Sequence, residues 1–149
     1  MTTTTIAPIV KDVTVPATPE AAFHRFTAEI GTWWPMSHSV GKDNASGLTM
    51  EAGVGGRLYE TGIDGTETEW GRVTVWEPNR RVAFTWHPGH EPDMARLVEV
   101  GFEDTGDGTR VTLTHSGWEV LGERGQSVRD EYDGGWEQVL ADYVGSLTS

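Results

Sequence analysis

The sequence contains no cysteine, which excludes a disulfide framework, a thiolate metal site and a cysteine nucleophile, and fits a reducing cytoplasm. Basic residues are scarce: 11 Lys and Arg stand against 23 Asp and Glu, a formal net charge of -12. A surface this acidic repels phosphate backbones and anionic membranes, and there is no basic stripe to displace counterions, so nucleic acid is not expected as a partner. No apolar run approaches the length of a membrane span, so no membrane insertion is expected. Met1 to Pro8 is Thr-rich and lacks the apolar core of a secretory signal, which together with the missing cysteine points to a cytoplasmic location. Catalytic signatures are missing too: there is no GxSxG elbow and no Walker loop. Gly53-Val54-Gly55-Gly56 lacks the third glycine of a dinucleotide fingerprint and opens a strand rather than a helix. No catalytic residue is assigned on motif grounds, and no cofactor or metal is expected.

What the chain does have is bulk. Its 149 residues include seven Trp, four Phe and three Tyr, enough for the core of one domain over residues 1–149 and for the walls of a small-molecule cavity. Ile9 to Val15 alternates as a first strand and stops at Pro16. Thr18-Pro19-Glu20 supplies an N-cap, a proline at the first helical position and an acid in the first turn; Ala22, Phe23, Phe26 and Ile30 then follow at helical spacing. This predicts one short helix or two in sequence, closed by Trp33-Trp34-Pro35, with a polar loop over Met36 to Ser46. Strand candidates follow at Gly47 to Ala52, Gly56 to Thr61, Glu69 to Trp76, Arg81 to His87, Ala95 to Glu103 and Thr109 to His115. Asp64-Gly65, Asp107-Gly108 and Glu77-Pro78-Asn79-Arg80 read as the turns between antiparallel neighbours. From Val128 the apolar positions Tyr132, Trp136, Val139, Leu140, Tyr143, Val144 and Leu147 trace one face of a long helix. Gly134 and Gly135 interrupt it, each at roughly 1 kcal/mol relative to alanine, and a close approach to the sheet or room for a guest beneath the helix would compensate.

That order of elements, and the motifs in it, resemble the helix-grip fold of the START-like or Bet v 1-like (SRPBCC) superfamily, and within it the homologues of the activator of heat-shock protein 90 ATPase. The residues that carry the resemblance are Val13-Thr14-Val15-Pro16-Ala17-Thr18-Pro19-Glu20-Ala21-Ala22-Phe23, Gly55-Gly56-Arg57-Leu58-Tyr59-Glu60, Trp70-Gly71-Arg72-Val73, Trp76-Glu77-Pro78, Arg80-Arg81-Val82-Ala83-Phe84-Thr85-Trp86, Gly108-Thr109-Arg110-Val111, His115-Ser116-Gly117-Trp118 and Gly135-Trp136. The resemblance implies an α+β fold in which a curved antiparallel β-sheet of about six to seven strands wraps around a long C-terminal α-helix, with short helices after the first strand. It leaves function open, since the superfamily holds lipid carriers, hormone receptors and aromatic-polyketide cyclases, and fold does not settle chemistry.

Period-two alternation assigns the strand faces. Val98, Val100 and Phe102 share one face, as do Val111, Leu113 and His115; Val73 and Val75 are expected to point together, as are Val82, Phe84 and Trp86. These sets should line the concave side that receives the helix. His115 is either a polar anchor there or a histidine satisfied at the core edge. Glu60 alternates with Leu58 and Gly56, so it faces either the cavity or, if the register slips, solvent. Trp70, Trp76, Trp86, Trp118 and Trp136, with Tyr132, stack a planar ligand or fill volume. Trp33 and Trp34 mark an entrance or partner surface if exposed, or a helix end pinned to the sheet if buried. The candidate ligand pocket therefore takes Trp33, Leu58, Glu60, Trp70, Phe84 and Trp86 from the first half of the chain and Val98, Val100, His115, Trp118, Tyr132 and Trp136 from the second. His87, His90, Glu91 and Asp93 form the one metal-like cluster, but on a Pro-Gly-rich hairpin loop where such residues are usually solvated. Glu60 paired with Glu51 or Glu99 offers acid-base chemistry if they meet. The leading reading is a small soluble domain that binds a hydrophobic or aromatic small molecule between sheet and C-terminal helix. The alternatives are a cyclase- or hydrolase-like enzyme using His115 or Glu60 as acid or base, and a co-chaperone-type module with a protein partner; a homodimer is compatible with each.

Overall fold

The computed structural model describes residues 6–35, 45–87 and 95–148. The first strand, β1 (Ile9–Val15), leads into two short helices, α1 (Pro19–Phe26) and α2 (Ile30–Trp33). Six strands follow: β2 (Ala45–Met50), β3 (Arg57–Gly62), β4 (Glu67–Glu77), β5 (Arg81–Trp86), β6 (Arg96–Asp104) and β7 (Thr109–Ser116). A 3-10 segment, Trp118–Arg124, then turns the chain into the long C-terminal helix α3 (Gly125–Leu147). All seven strands form one antiparallel sheet in the order β1-β7-β6-β5-β4-β3-β2, so the first strand pairs with the last. The sheet curls around α3 as a half-barrel, the helix-grip α+β fold.

Local chemistry explains the elements. Thr18 caps α1 by accepting from the Ala21 amide at 3.2 Å, with Pro19 at the first helical position, where its missing N–H costs nothing. Ala22, Phe23 and Phe26 form the buried side of α1. Trp136, Val139, Leu140 and Tyr143 form that of α3, with Tyr132, Val144 and Leu147 packed at its margins. Lys11 on β1 ties the sheet to α3 through Asp133 and Glu137, both at 2.9 Å. Tyr143 joins α3 to α1 by donating to the Ala22 carbonyl at 2.7 Å.

Several expectations shift. Strand β2 starts at Ala45, so it takes the end of the expected loop, and it stops before Ala52; the rest of that loop lies outside the described residues. In the β6–β7 turn the left-handed residue is Gly106, at φ 90, while Asp104 accepts from its amide at 2.8 Å; Gly108 follows in the closing position. Val73 and Val75 do not point together. The register shifts between them, so that Val73 opposes Phe84, Val75 opposes Ala83 and Trp76 opposes Val82. The bulge bends β4 and swings Trp76 to the inner side, where its ring meets Phe23 edge-on at 5.1 Å. A second shift lies between Leu58 and Tyr59, opposite Trp70. There Gly71 has a firm reason to be glycine, since a β-carbon at that position would overlap the Thr85 carbonyl of β5. Gly134 has no such reason. It is exposed on α3, and a β-carbon there would have no neighbour within 4 Å, so it makes no close approach to the sheet. Helix α3 begins three residues before Val128, at Gly125, whose added β-carbon would press on Ile6 and the Trp118 carbonyl.

Candidate functional site

The interior holds two aromatic clusters, joined where Trp33 meets Trp34 at 5.9 Å. At one end, Phe23, Phe26, Trp33, Phe102 and Tyr143 meet at centroid distances of 5.0 to 6.1 Å. At the other, Trp34, Trp70, Trp86 and Trp136 pack at 5.2 to 6.0 Å. That second cluster continues through His115 to Trp118 and Tyr132. Its members come from the residue after α2 and from β4, β5, β7, the 3-10 segment and α3, so it exists only once the sheet has closed on the helix.

Of the expected pocket residues, Trp70, Trp86, His115, Trp118 and Trp136 are buried in this second cluster and Tyr132 is half-buried at its margin. Leu58, Phe84, Val98 and Val100 are buried beside it on the inner face of the sheet. Trp33 sits at the edge of it: its ring lies 5.9 Å from Trp34, packs on Phe26 and Tyr143 on the other side, and its indole donates to the Arg25 carbonyl at 2.8 Å. The residue after it, Trp34, reaches the middle of the cluster, where the chain leaves α2 in an extended conformation. Both tryptophans are buried, which pins the helix end to the sheet and leaves no exposed pair.

Glu60 is buried with Leu58 on the inner face of β3, as the alternation implied. It does not pair with Glu51 or Glu99. Glu51 is held by Arg57 at 3.2 Å, and Glu99 lies between the inward residues Val98 and Val100, on the other face of the sheet near Arg81 at 3.6 Å. The dicarboxylate arrangement is therefore not built. His87 is buried at the end of β5, where its backbone amide donates to the Trp70 carbonyl at 2.6 Å and its ring lies 3.6 Å from Glu69. His90, Glu91 and Asp93, the rest of the metal-like cluster, lie outside the described residues. Among the described residues no group of three metal-ligating side chains comes together, and no helix is long and apolar enough to cross a membrane.

His115 has no exposed surface. Its Nδ1 accepts from Trp136 Nε1 at 2.9 Å, and Trp118 Nε1 donates to its backbone carbonyl at 2.9 Å. Burial, with the positive Arg96 adding to it, pushes the imidazole pKa down to about 2. The ring is therefore neutral, and because Nδ1 is the acceptor, the proton sits on Nε2. That Nε2–H is buried and has no hydrogen-bond partner. His115 thus presents a fixed N–H donor to the interior rather than a base.

Arg96 was not foreseen. It opens β6 opposite Trp86 and points inward in the row Arg96, Val98, Val100, Phe102, the alternation already used for the valines. The residue is 2% exposed, and Nε, Nη1 and Nη2 all lack a hydrogen-bond partner. The guanidinium stacks 5.4 Å from the Trp118 ring and 5.6 Å from that of Tyr132. Such contacts are worth about 2 kcal/mol when desolvated, against several kcal/mol for burying an unpaired ion. Burial pulls its pKa below the ordinary range, and the Tyr132 hydroxyl opposes the shift without closing a hydrogen bond.

A separate surface cleft of about 670 Å³ lies between α1, the end of β2 and the β4–β5 turn, with Phe23, His24, Met50, Trp76 and Asn79 in its walls. None of the twelve expected pocket residues lines it.

The family described as "Activator of Hsp90 ATPase homolog 1-like protein" matches residues 16–144. The chain belongs to that family. Among curated proteins none matches. Among solved structures, the chain is 37% identical to the anthrahydroquino-γ-pyrone synthase Txn09, solved in complex with a ligand designated SUM; the match covers 95% of this chain and 97% of that one, with a TM-score of 0.66. It shares 20% identity with the Aha1 dimer of Colwellia psychrerythraea over 95% and 96% of the two chains, at a TM-score of 0.67. The protein MLL2253 of Mesorhizobium loti shares 18% over 93% and 94%, at a TM-score of 0.66. The last two likenesses concern the fold alone. Membership of the family fixes the helix-grip architecture and is compatible with ligand binding.

Proposed function

We propose that this family member binds a planar aromatic small molecule in its concave interior, between the sheet and α3. The observation that carries the reading is the second aromatic cluster, whose indole, imidazole and phenol rings surround polar N–H groups that make no protein hydrogen bond. Apolar, ring-lined interiors with a few convergent polar groups are the usual form of a small-molecule site. Similarity across nearly the whole of both chains to a synthase of an anthrahydroquinone-fused pyrone supports the same class of ligand. The test is tryptophan fluorescence quenching with 1,8-dihydroxyanthraquinone. Saturable binding is expected, weakened roughly tenfold or more by Trp86→Leu. Binding that survives this change unaltered would place the ligand elsewhere.

The same relative favours a second reading, in which the bound aromatic undergoes ring closure. Here His115 serves as a neutral N–H donor that polarises a carbonyl or stabilises a developing oxyanion, while Glu60, buried on the inner face, is the carboxylate that would act as base. Removing one such donor typically lowers kcat by about 10²- to 10³-fold with substrate still bound. A His115→Asn variant that binds and turns over a cyclisable substrate as the wild type does would reject this reading. A co-chaperone role draws support from the family description alone, since the Trp33-Trp34 pair that would have offered a partner surface is buried.

A further inference from the structure

Among the described residues, the buried polar side-chain atoms without partners are Trp34 Nε1, Trp70 Nε1, all three guanidinium nitrogens of Arg96 and His115 Nε2. They share two properties. First, all four residues belong to the same aromatic cluster: Trp34 touches Trp70 at 5.4 Å, Trp70 touches Trp86 at 5.4 Å, Trp86 lies 6.0 Å from His115, and His115 and Arg96 both contact Trp118 and Tyr132. Second, every one of them is a donor. An indole or guanidinium nitrogen cannot accept, and the Trp136 bond to Nδ1 makes Nε2 of His115 the protonated nitrogen. Buried polar groups in folded proteins nearly always have partners, so one-sided failure in one place identifies what the place is built for. A set of only donors, with one fixed positive charge among them, lacks an acceptor that carries negative charge.

Among the described residues no group supplies it, and the Tyr132 hydroxyl beside the guanidinium closes no hydrogen bond with it. Arg96 hydrogen-bonds neither Glu60, the buried carboxylate on the inner face, nor any other described side chain, and the ion pairs of the described residues are made by other cations. We propose that Arg96, assisted by the N–H groups of His115, Trp34 and Trp70, is the recognition site for an anionic oxygen on the aromatic ligand: a carboxylate, phenolate or enolate attached to a planar ring. This rests on the aromatic-ligand reading above and adds to it the charge and the orientation of the ligand. A guanidinium is suited to the role because its planar fork meets two oxygens at once and its face stacks on rings, as it does here on Trp118 and Tyr132. It also accounts for how a chain of net charge -12 takes an acidic ligand: the attraction is short-range, and the low-dielectric interior strengthens it.

The experiment compares two probes of nearly equal shape, anthraquinone-2-carboxylate and anthraquinone-2-carboxamide, by fluorescence titration at pH 7.5. The wild-type protein is expected to bind the carboxylate ten- to a hundredfold more tightly than the amide, the range of a charge-assisted hydrogen-bonded pair. Arg96→Met, similar in length but uncharged, is expected to bind both probes equally, with its affinity for the amide retained. Arg96→Lys keeps the charge without the fork and should retain part of the preference. Equal binding of the two probes by the wild type overturns this subsite and leaves the aromatic reading standing, and a preference that persists in Arg96→Met overturns it as well. Failure of both probes to bind the wild type overturns the aromatic reading, and the subsite with it. The wild-type comparison needs no variant, so the result does not depend on whether Arg96→Met folds. The melting temperature of Arg96→Met without probe supplies a further check: removal of an unpartnered buried charge should leave it at or above the wild-type value, whereas a large drop would show that Arg96 has a structural partner.

Discussion

The neutral, buried state of His115 makes the folded protein sensitive to mild acid in a way that can be calculated. In the unfolded chain the imidazole has its ordinary pKa of 6.5, and in the folded protein about 2. Below pH 6.5 the unfolded state takes up a proton that the folded state refuses, so stability is full above that pH and falls as the pH drops towards the folded value. The slope is about 1.36 kcal/mol per pH unit for one site. Allowing for partial protonation near 6.5, the loss between pH 7 and pH 5 is about 2 kcal/mol, a large fraction of the stability of a domain this size. Other groups titrate too, notably carboxylates held low by hydrogen bonds such as Asp64, but most of their effect falls below pH 5. The contribution of His115 is isolated by comparison with His115→Asn, whose side-chain oxygen takes the place of Nδ1 as acceptor for Trp136 and does not titrate. Urea unfolding of the two proteins across pH 7 to 5 should show the stability difference, variant minus wild type, rise by about 2 kcal/mol in the variant's favour. In parallel, the wild-type imidazole should keep the nitrogen chemical shifts of a neutral, Nε2-protonated ring at pH 5. A pH-independent difference, or an imidazolium spectrum at pH 5, would refute the reasoning.

Two further outcomes follow from the packing. Gly134→Ala should raise stability by up to about 1 kcal/mol, since the position is exposed within a helix and has open space around it, whereas Gly71→Ala should destabilise by more than that because its methyl meets the Thr85 carbonyl; thermal melts of the pair read both signs. Tyr143→Phe, which removes a buried hydrogen bond to Ala22, should cost about 1 to 3 kcal/mol in urea unfolding, and a neutral result would mean that α3 does not rely on α1 for its seating.

The fold was legible because its signals are local and agree with one another. Thr18-Pro19-Glu20 has a single sensible reading, the α3 stripe keeps its period from Tyr132 to Leu147, and alternation in β6 and β7 separates the buried residues from the less buried ones between them. What was misread depends on breaks in periodicity. The β4 bulge reverses the faces after Val73, which a strict period of two cannot register. The helix ends at Trp33, and the extended turn at Trp34 buries both indoles side by side, which helical spacing alone does not foretell. Gly134 reads as a packing device because its cost is visible in sequence and its exposure is not; Gly71 and Gly125 are among the glycines that do meet backbone closely, at contacts defined only in three dimensions. Arg96 stands two residues before Val98 on a row assigned to the interior, but a charged residue at a strand end is ordinarily solvated, so alternation alone does not mark it as buried. His115 was found as an inward polar group, while its tautomer, and hence its chemistry, depends on a partner 21 positions away in Trp136.

The central claim, that an aromatic ligand enters the cluster between sheet and α3, is tested most directly by the indole N–H resonances of the seven tryptophans during titration with 1,8-dihydroxyanthraquinone. The account expects Trp34, Trp70, Trp86, Trp118 and Trp136 to shift together, while Trp76, which packs on Phe23 at the far end, stays in place. Unmoved indoles accompanied by shifting amides of His24, Ala52 and Asn79 would put the ligand in the surface cleft and contradict it.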